Sequence, residues 1–493
     1  KAFLRLNFYL AKMSILPKTS RASLRVLTIL ILISFFLRAP FFFRDYIDKD
    51  ESTFIIMGQS WVDGQLPFTS LWDLKPLFVF GFFALLIQLF GKSLILIRAV
   101  GMIVVGLTAY IFYTQSKSFR SKNQSLFAAT FCCYLLSLFG AVQGVMSEHL
   151  AVFSLLLGWF FYHEKRYYVL AGFILFSALL FKSNYVYALF LFALTELYFA
   201  IKNKSFSPLY KSFLGLLIPI GICVFPYWQS DNLSSLYSAM ILAPLAYADV
   251  NIITQLKTLL YILPIGGIYL FILLKNKYEL NRRNIGLLAL NIGVLFSFIK
   301  LGKINDHYLL QWYPLFLLFL VQSKFKWPQF ETKKSVRAAL LLFLLLPVES
   351  YKEYKALWAH QKENDSWYNG EGVAVPNYLK EQKLDQESVF YLDFHIGYWF
   401  QNQNPPTMIA THPSNIAREE LYPFIPSIKS NPLEEIKHLF EVVRPSIVVK
   451  SKNKILGKNF DRENQQIQDY LNRCYRPIHH IDKAVILQRL ELD

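Results

Sequence analysis

The sequence has little charge for its length, and this scarcity excludes a soluble globular protein. Only 17% of its 493 residues are Asp, Glu, Lys or Arg, whereas 54% are hydrophobic and 17% are aromatic. Soluble domains carry about 25% charged residues, and a disordered chain would not contain this much apolar surface. The composition therefore indicates a polytopic membrane protein with a more polar part attached.

Cysteines are few and glycine-rich phosphate loops are absent, which argues against several further classes. The sequence shows neither metal-ligand spacing nor a disulfide framework among its four cysteines, Cys132, Cys133, Cys223 and Cys474. Without a glycine-rich loop, neither a nucleotide site nor an ATP-driven machine is indicated. No internal repeat is found, which argues against an inverted-repeat transporter.

Acidic residues are scarce in the first 350 positions, and this scarcity locates the net charge of +17. Residues 351–493 hold 18 Lys or Arg and 19 Asp or Glu, which leaves 33 basic and 15 acidic residues before them. A nucleic-acid-binding protein would concentrate basic residues on a soluble domain, so we expect no nucleic-acid partner. The positive-inside rule of membrane proteins explains the basic excess in the apolar part.

Long apolar runs fill residues 22–349, which we predict to form a multi-span membrane domain surrounded by membrane lipids. A transmembrane helix needs about 20 apolar residues. The sequence predicts about eleven spans, near residues 22–37, 95–113, 125–143, 149–162, 168–181, 184–201, 212–228, 258–274, 285–299, 308–322 and 338–348. The predicted fold class is an α-helical polytopic membrane protein in the cytoplasmic (inner) membrane.

The positions of Lys and Arg predict how the spans are oriented. The basic N-terminal segment, residues 1–21, is expected in the cytoplasm. The later basic loops are expected there too, with Lys117, Arg120, Lys122, Lys165, Arg166, Lys202, Lys204, Lys275, Lys277, Arg282, Arg283, Lys324, Lys326, Lys333, Lys334 and Arg337. This agreement requires that the apolar stretch 76–90 does not cross but forms a juxtamembrane helix on the outer side.

An odd number of crossings places residues 350–493 outside, as a periplasmic or extracellular domain. The pattern predicts a small α/β fold for this domain. Apolar runs at Ser388–Phe394, Ser446–Lys450 and Ala484–Leu490 predict buried strands. The pattern of Glu434–Val443 predicts a helix that ends before Pro445.

The first outer loop, residues 38–75, is the most polar part of the membrane half and contains six acidic residues. Residues 52–62 have the apolar spacing of a helix that lies on the interface. Asp48, Asp50 and Glu51 lie at the start of that helix, where the helix dipole favours negative charge. A helix cap accounts for one such acid, and we interpret the cluster of three as functional.

Further ionisable residues interrupt or border apolar runs, and the orientation places them on the same outer side. They are Asp73, Lys75, Arg98, Glu148, Lys182 and His307, and Tyr308 follows the last of them. An ionisable residue between spans is costly and indicates function, although a lone Lys also snorkels and His307 equally suits an interface residue. A phosphate head group needs cations, and an incoming hydroxyl needs a base.

At these residues the chain resembles the GT-C membrane glycosyltransferases, in particular the protein O-mannosyltransferases and the aminoarabinose transferase of lipid A. An ordered set of short motifs across residues 20–350 carries the resemblance. The set comprises Asp48-x-Asp50-Glu51, Gly64-x-x-Pro67, Trp72-Asp73-x-Lys75-Pro76, Gly91-Lys92-Ser93, Arg98, Ser147-Glu148, Lys182, and His307-Tyr308 with Pro314. This chain departs from its relatives at Leu77, where they often have a second Pro, and at Leu74, where the lipid A enzyme has an acid.

The resemblance implies a polyprenyl-phosphate-linked sugar as donor and a hydroxyl of an envelope glycan, lipid or protein as acceptor. It assigns catalysis to Asp50 and Glu51, with Asp48 beside them. It places the cations and one phenol at the donor phosphate, namely Lys75, Arg98, Lys182, His307 and Tyr308. Glu148 and Asp73 would be acids on the acceptor side or at a divalent metal, and no other cofactor is implied.

The implied reaction is a direct displacement at the anomeric carbon with inversion. Asp50 or Glu51 accepts the proton of the acceptor hydroxyl, and the polyprenyl phosphate leaves already charged. Two other classes stay open at this point. A flippase or exporter of lipid-linked saccharides would place charges in mid-span and use repeats, and an envelope scaffold protein would not need acids and cations on one face.

Overall fold

The structure is a computed structural model that describes residues 21–138, 140–275, 279–323, 333–410, 413–452, 456 and 460–490. The predicted cytoplasmic segment before Arg21 lies outside the described residues. So do Lys277, Lys324 and Lys326 of the predicted cytoplasmic loops. The described chain is mostly helical and ends in a small sheet.

Thirteen helices build the part of residues 21–345 that the structure describes, apart from short turns. They are α1 (Arg21–Arg38), α2 (Lys49–Val62), α3 (Leu77–Phe90), α4 (Leu94–Ser116), α5 (Lys122–Leu135), α6 (Ser147–Phe160), α7 (Tyr168–Phe181), α8 (Tyr185–Lys202), α9 (Ser207–Gln229), α10 (Ile252–Lys275), α11 (Arg282–Leu301), α12 (Tyr313–Gln322) and α13 (Lys333–Leu345). Short helical segments at Leu233–Tyr237 and Ala243–Tyr247 join α9 to α10.

Six helices within the described ranges are long and apolar enough to cross a membrane, and each matches a predicted span. They are α1 with the turn that extends it to Phe43, α4, α8, α9, α10 and α11. The other five predicted spans correspond to shorter helices of 10 to 14 residues, namely α5, α6, α7, α12 and α13. A helix rises 1.5 Å per residue, so as α-helices these five are shorter than the hydrocarbon core of a bilayer, and α6 approaches that length only with the π-helical turn Phe161–Lys165 that continues it. Length and composition therefore support a helical membrane protein with six spans rather than about eleven.

Helices α2 and α3 lie between the first two long helices and pack against each other. Asp48 caps α2, because its side chain accepts a hydrogen bond from the backbone N–H of Asp50. Pro76 precedes α3, and Gly91 ends it with a φ of 69°. At 14 residues, α3 matches the predicted juxtamembrane stretch 76–90 in extent. The side of the membrane on which it lies stays a prediction.

The C-terminal region contains the predicted mixture of helices and strands. Its longer elements are α14 (Val348–Asn364), α15 (Glu371–Glu381), β1 (Val389–Tyr391), α16 (Pro432–His438), β2 (Ile447–Ser451), α17 (Asp461–Cys474), β3 (Tyr475–Ile481) and β4 (Ala484–Arg489). Within the described residues these strands form one sheet in the order β1-β2-β4-β3, in which only the β1–β2 pair is parallel. The three predicted strands and the predicted helix near residue 434 are confirmed.

Strand β3 is the element of this sheet that the sequence did not predict. It lies at the sheet edge and carries Pro477, which interrupts its pairing register with β4. Most of its side chains are exposed or half-buried, so its pattern lacks the apolar run of a buried strand.

The C-terminal region packs directly on residues 38–75, the predicted first outer loop. One apolar core includes side chains of α2 and α3 together with those of the sheet. The Asp45 carboxylate accepts hydrogen bonds from the backbone N–H groups of Gly372 and Val373. Backbone hydrogen bonds join Trp72 to the segment around Ile409. The C-terminal region thus helps to fix the loop that carries the candidate site.

Candidate active site

A cavity of about 540 Å³ opens where the first outer loop, the ends of several helices and the C-terminal region meet. The residues around it that the sequence singled out are Asp48, Asp50, Asp73, Lys75, Lys182, His307 and Tyr308. These seven are separated by up to 260 positions in the sequence, and the fold brings them to one cavity. Acidic, basic and aromatic side chains share its wall, as expected of a catalytic or binding pocket.

Asp50 and Lys75 form an ion pair on the cavity wall. Asp50 lies in the first turn of α2, and the Lys75 ammonium donates a hydrogen bond to its Oδ2 atom. Each side chain keeps 19% of its surface exposed, so both reach the cavity. Burial alone would lower the pKa of Lys75, but the carboxylates of Asp50 and Asp73 outweigh it and raise that pKa. Lys75 therefore stays charged and keeps Asp50 oriented toward the cavity.

Asp48 is the second carboxyl group at this end of α2. Its Oδ1 accepts the backbone N–H of Asp50 at 2.8 Å. Burial and the neighbouring negative charge of Asp50 raise the pKa of Asp48 to about 7. The two carboxyl groups therefore have different environments, because only Asp50 makes an ion pair with Lys75.

Asp73 lies on the same wall and connects it to the C-terminal region. Its carboxylate accepts hydrogen bonds from the side chain of Asn415 at 2.9 Å and from the backbone N–H of Lys75 at 3.2 Å. Burial raises the pKa of Asp73 to about 6, against the opposing charge of Lys75. This carboxyl group positions the backbone of the loop beside Lys75.

Lys182, Glu148 and His307 form a second charged group. The Lys182 ammonium lies 2.6 Å from Glu148 Oε1, and His307 Nε2 lies 4.0 Å from the same oxygen. Glu148 is fully buried beneath them. Burial lowers the pKa of His307, although the charge of Glu148 opposes this effect. The structure thus brings Glu148 into contact with two predicted donor-binding residues rather than placing it on the cavity surface.

Tyr308 extends this group along the cavity. The Lys182 ammonium lies 4.9 Å from the centre of the Tyr308 ring, within the range of a cation–π contact. Tyr308 begins the apolar segment that leads into α12. Its ring therefore lies beside the charged group and lines the cavity, whereas its role at the donor phosphate stays a prediction.

Glu51 and Arg98 are brought together, but away from the cavity. The Arg98 guanidinium donates to both carboxylate oxygens of Glu51, and its NH2 atom lies 2.7 Å from Oε2. Glu51 also accepts the backbone N–H of Val145 at 2.8 Å, and Gly144 packs against its carboxylate. Both charged side chains are at most 2% exposed. This pair joins α2 to α4 and to the loop before α6.

Several cavity residues were not predicted from the sequence. They are Tyr46, Lys49, Asn184, Tyr247, Lys303, Asn305, Asn415 and Arg418. Lys303 follows the glycine that ends α11, and Arg418 comes from the C-terminal region. A basic residue just after a predicted span was available as a signal for Lys303. Arg418 follows Asp50 by more than 300 residues, and nothing in the local sequence indicates that the two line one cavity.

No group of three or more His, Cys, Asp or Glu side chains suited to a metal ion occurs among the described residues. Asp48, Asp50 and Asp73 share the cavity wall, but Asp50 is paired with Lys75 and Asp73 bonds to Asn415. A divalent metal at this site stays a prediction.

No protein-family model, no curated protein and no solved structure matches the chain. The resemblance to the GT-C glycosyltransferases therefore stays a prediction, and the functional argument depends on the geometry. That geometry combines a charged carboxylate beside an ammonium group with a wall of cations. Such a site suits proton removal from a hydroxyl beside an anionic group.

Proposed function

We propose that the protein is a membrane glycosyltransferase that moves a sugar from a polyprenyl-phosphate-linked donor to a hydroxyl of an envelope acceptor. The observation that carries this proposal is the cavity in which Asp50, held by Lys75, faces Lys182 and His307. Asn184 at the start of α8 and Leu301 at the end of α11 line the cavity, so two of the six candidate membrane-spanning helices reach it. This arrangement suits a donor whose lipid chain stays in the bilayer.

In the proposed mechanism Asp50 accepts the proton of the acceptor hydroxyl. The acceptor oxygen forms a bond to the anomeric carbon as the bond from that carbon to the phosphate oxygen breaks. The electron pair leaves with the polyprenyl phosphate, which needs no general acid because it is already charged. Cations around the cavity stabilise the charge that grows on the phosphate, and direct attack inverts the anomeric configuration.

The residues outside the cavity receive other roles in this proposal. Glu148 holds Lys182 and His307 in place, and Asp73 fixes the loop backbone beside Lys75. Glu51 and Arg98 contact no part of the cavity, so we assign them to folding rather than to catalysis or donor binding.

We further propose the orientation that the basic loops indicate. The N-terminus is cytoplasmic, and the cavity and the C-terminal region are extracytoplasmic. Because ends on opposite sides require an odd number of crossings, an odd number of the shorter apolar helices crosses the bilayer together with the six long ones. Because the proposed orientation has a cytoplasmic N-terminus, the proposed membrane is the cytoplasmic one. In a variant whose four native cysteines are replaced by Ser, single cysteines introduced at Lys204 and at Arg473 test this orientation through their accessibility to a membrane-impermeant thiol reagent. Labelling is expected only at the second position.

The test of the function is transfer of radiolabelled sugar from undecaprenyl-phosphate donors by the purified protein, against a panel of hydroxyl acceptors. Asp50→Asn should lower the rate by about 10²- to 10⁴-fold, the usual effect of removing a positioned base. Asp63→Asn is the matched control, because Asp63 lies at the other end of α2 and does not line the cavity. Donor binding without transfer to any acceptor by the wild type, or full activity of Asp50→Asn, would overturn the proposal.

A further inference from the structure

Tyr247 lies on the cavity wall between two cations from different regions of the chain. The Lys303 ammonium donates a hydrogen bond to the Tyr247 hydroxyl and lies 4.3 Å from the centre of its ring. The guanidinium carbon of Arg418 lies 5.1 Å from the centre of the same ring. All three side chains line the cavity that contains Asp50. The Tyr247 phenol thus contacts Lys303, from the end of α11, and Arg418, from the C-terminal region.

This group differs in charge balance from the other cations of the cavity. Lys75 is paired with Asp50, Lys182 with Glu148, and Lys49 with Asp393. Each of those three lysines therefore already has a carboxylate partner within the protein itself.

Lys303, by contrast, makes no ion pair with a carboxylate in the part of the chain that the structure describes. Arg418 has one carboxylate neighbour, Glu420, at 3.6 Å, and the Glu420 side chain is 47% exposed. An exposed pair of this kind contributes little. This part of the cavity wall therefore carries positive charge that a bound anion would neutralise.

The chemistry of the three side chains matches a phosphate group. Arg offers two parallel N–H donors to phosphate oxygens, and Lys adds a compact positive charge. The Tyr247 oxygen accepts the hydrogen bond of Lys303, so its own O–H remains a donor. Burial alone would raise the pKa of Tyr247, but Lys303 and Arg418 outweigh it and lower that pKa. The local potential is thus positive at the phenol.

We propose that Lys303, Tyr247 and Arg418 form the phosphate-binding subsite for a lipid-linked phosphate, with the C-terminal region supplying one of its two cations. This inference rests on the proposed function, because it names the part of the cavity that holds the donor phosphate. Lys75 is close enough to act electrostatically on Tyr247, so the subsite and the Asp50–Lys75 pair face one space. A phosphate held here would lie in the same cavity as Asp50.

Binding of undecaprenyl phosphate to the purified full chain in nanodiscs tests the subsite without any need for turnover. Lys303→Met and Arg418→Gln should each weaken binding by about 10- to 100-fold, since hydrogen bonds to charged groups contribute about 1.5–3 kcal/mol. Tyr247→Phe keeps the ring and should weaken binding by less. Arg473→Gln is the matched control, because Arg473 also lies 5.1 Å from a tyrosine ring but on the exposed surface of α17. Thermal unfolding verifies that each variant is folded.

Two further probes separate the possible sources of the phosphate. Undecaprenol, which lacks the phosphate, should bind equally weakly to the wild type and to the variants. Inorganic phosphate should bind far more weakly than the lipid, because it lacks the chain that the bilayer holds. Inorganic phosphate that binds as tightly as the lipid would overturn the assignment to a lipid-linked group.

The results also distinguish the subsite from the proposed function. Unchanged affinity of folded Lys303→Met and Arg418→Gln for undecaprenyl phosphate overturns the subsite, even where the wild type transfers sugar. Lost affinity in both variants supports the subsite, even where no acceptor is glycosylated and the transferase proposal fails.

Discussion

Asp50 and Glu51 are adjacent acids, yet their surroundings in the folded chain are opposite. Asp50 pairs with Lys75 at the cavity, and each side chain is 19% exposed. Glu51 pairs with Arg98 in the interior, and neither side chain is more than 2% exposed. One step along an α-helix turns the side chain by about 100°, so two consecutive residues of α2 face different environments. One acidic motif therefore contains both a candidate base and a structural carboxylate.

The largest expected effect comes from breaking the buried pair. Arg98→Met leaves the Glu51 carboxylate buried without its cation, and removing one partner of a buried pair costs about 3–5 kcal/mol. We therefore expect a much lower melting temperature in detergent, or loss of folded protein. Lys75→Met at the cavity pair should cost far less stability. Equal melting temperatures for Arg98→Met and the wild type would contradict the structural role.

Gly144→Ala tests the same buried pair, because it crowds the Glu51 carboxylate without removing any charge. An added Cβ would lie 3.0 Å from the Glu51 carboxyl carbon and 3.1 Å from its two oxygens. Overpacking of this kind costs about 1–3 kcal/mol. Gly140→Ala serves as the control, since a Cβ there meets nothing within 4 Å. The melting temperatures of the two variants check this, and equal values would contradict the close packing around Glu51.

The third expected effect is on pH dependence, and it comes from three buried carboxyl groups between residues 45 and 73. The pKa of Asp48 is raised to about 7, that of Asp45 to about 7 and that of Asp73 to about 6, and burial is the main cause in each case. The folded state therefore holds protons that an unfolded chain, with carboxyl pKa values near 4, has already lost. Stability from these groups is present below about pH 4 and is lost as the pH rises through 6 to 7.

Melting temperatures measured between pH 5 and pH 8 should thus fall by a few degrees as the pH rises. Asp48→Asn should reduce that fall, because Asn keeps the helix cap and cannot ionise. A melting temperature that rises across this range, in both the wild type and the variant, would contradict the burial of these carboxyl groups.

Much of the fold followed from the sequence, because the signals are local. Apolar runs located six helices that are long enough to span, and the apolar strands β1, β2 and β4 were found. Judged by helix length and composition, the predicted count of about eleven spans was too high. An apolar run does not show where a helix ends. Helix α5, for example, ends at Leu135, although the predicted span continued to residue 143. Edge strand β3 lacks a buried pattern and was missed.

The candidate site was predicted in part. Asp48, Asp50, Asp73, Lys75, Lys182, His307 and Tyr308 do share one cavity. Motif order alone does not show which of two adjacent acids faces the cavity. Glu51 pairs with Arg98 in the protein interior instead. Arg418 was missed because its approach to Tyr247 depends on how the C-terminal region packs on the membrane half, which no local pattern encodes.

The most direct test of the account is a comparison of Asp50→Asn and Glu51→Gln in the sugar-transfer assay, with turnover expressed per folded molecule. We expect Asp50→Asn to be folded and to lose about 10²- to 10⁴-fold in rate. Glu51→Gln should be less stable, but its folded fraction should turn over at nearly the wild-type rate. If Glu51→Gln is folded but inactive while Asp50→Asn remains active, the assignment of Asp50 as the base is wrong.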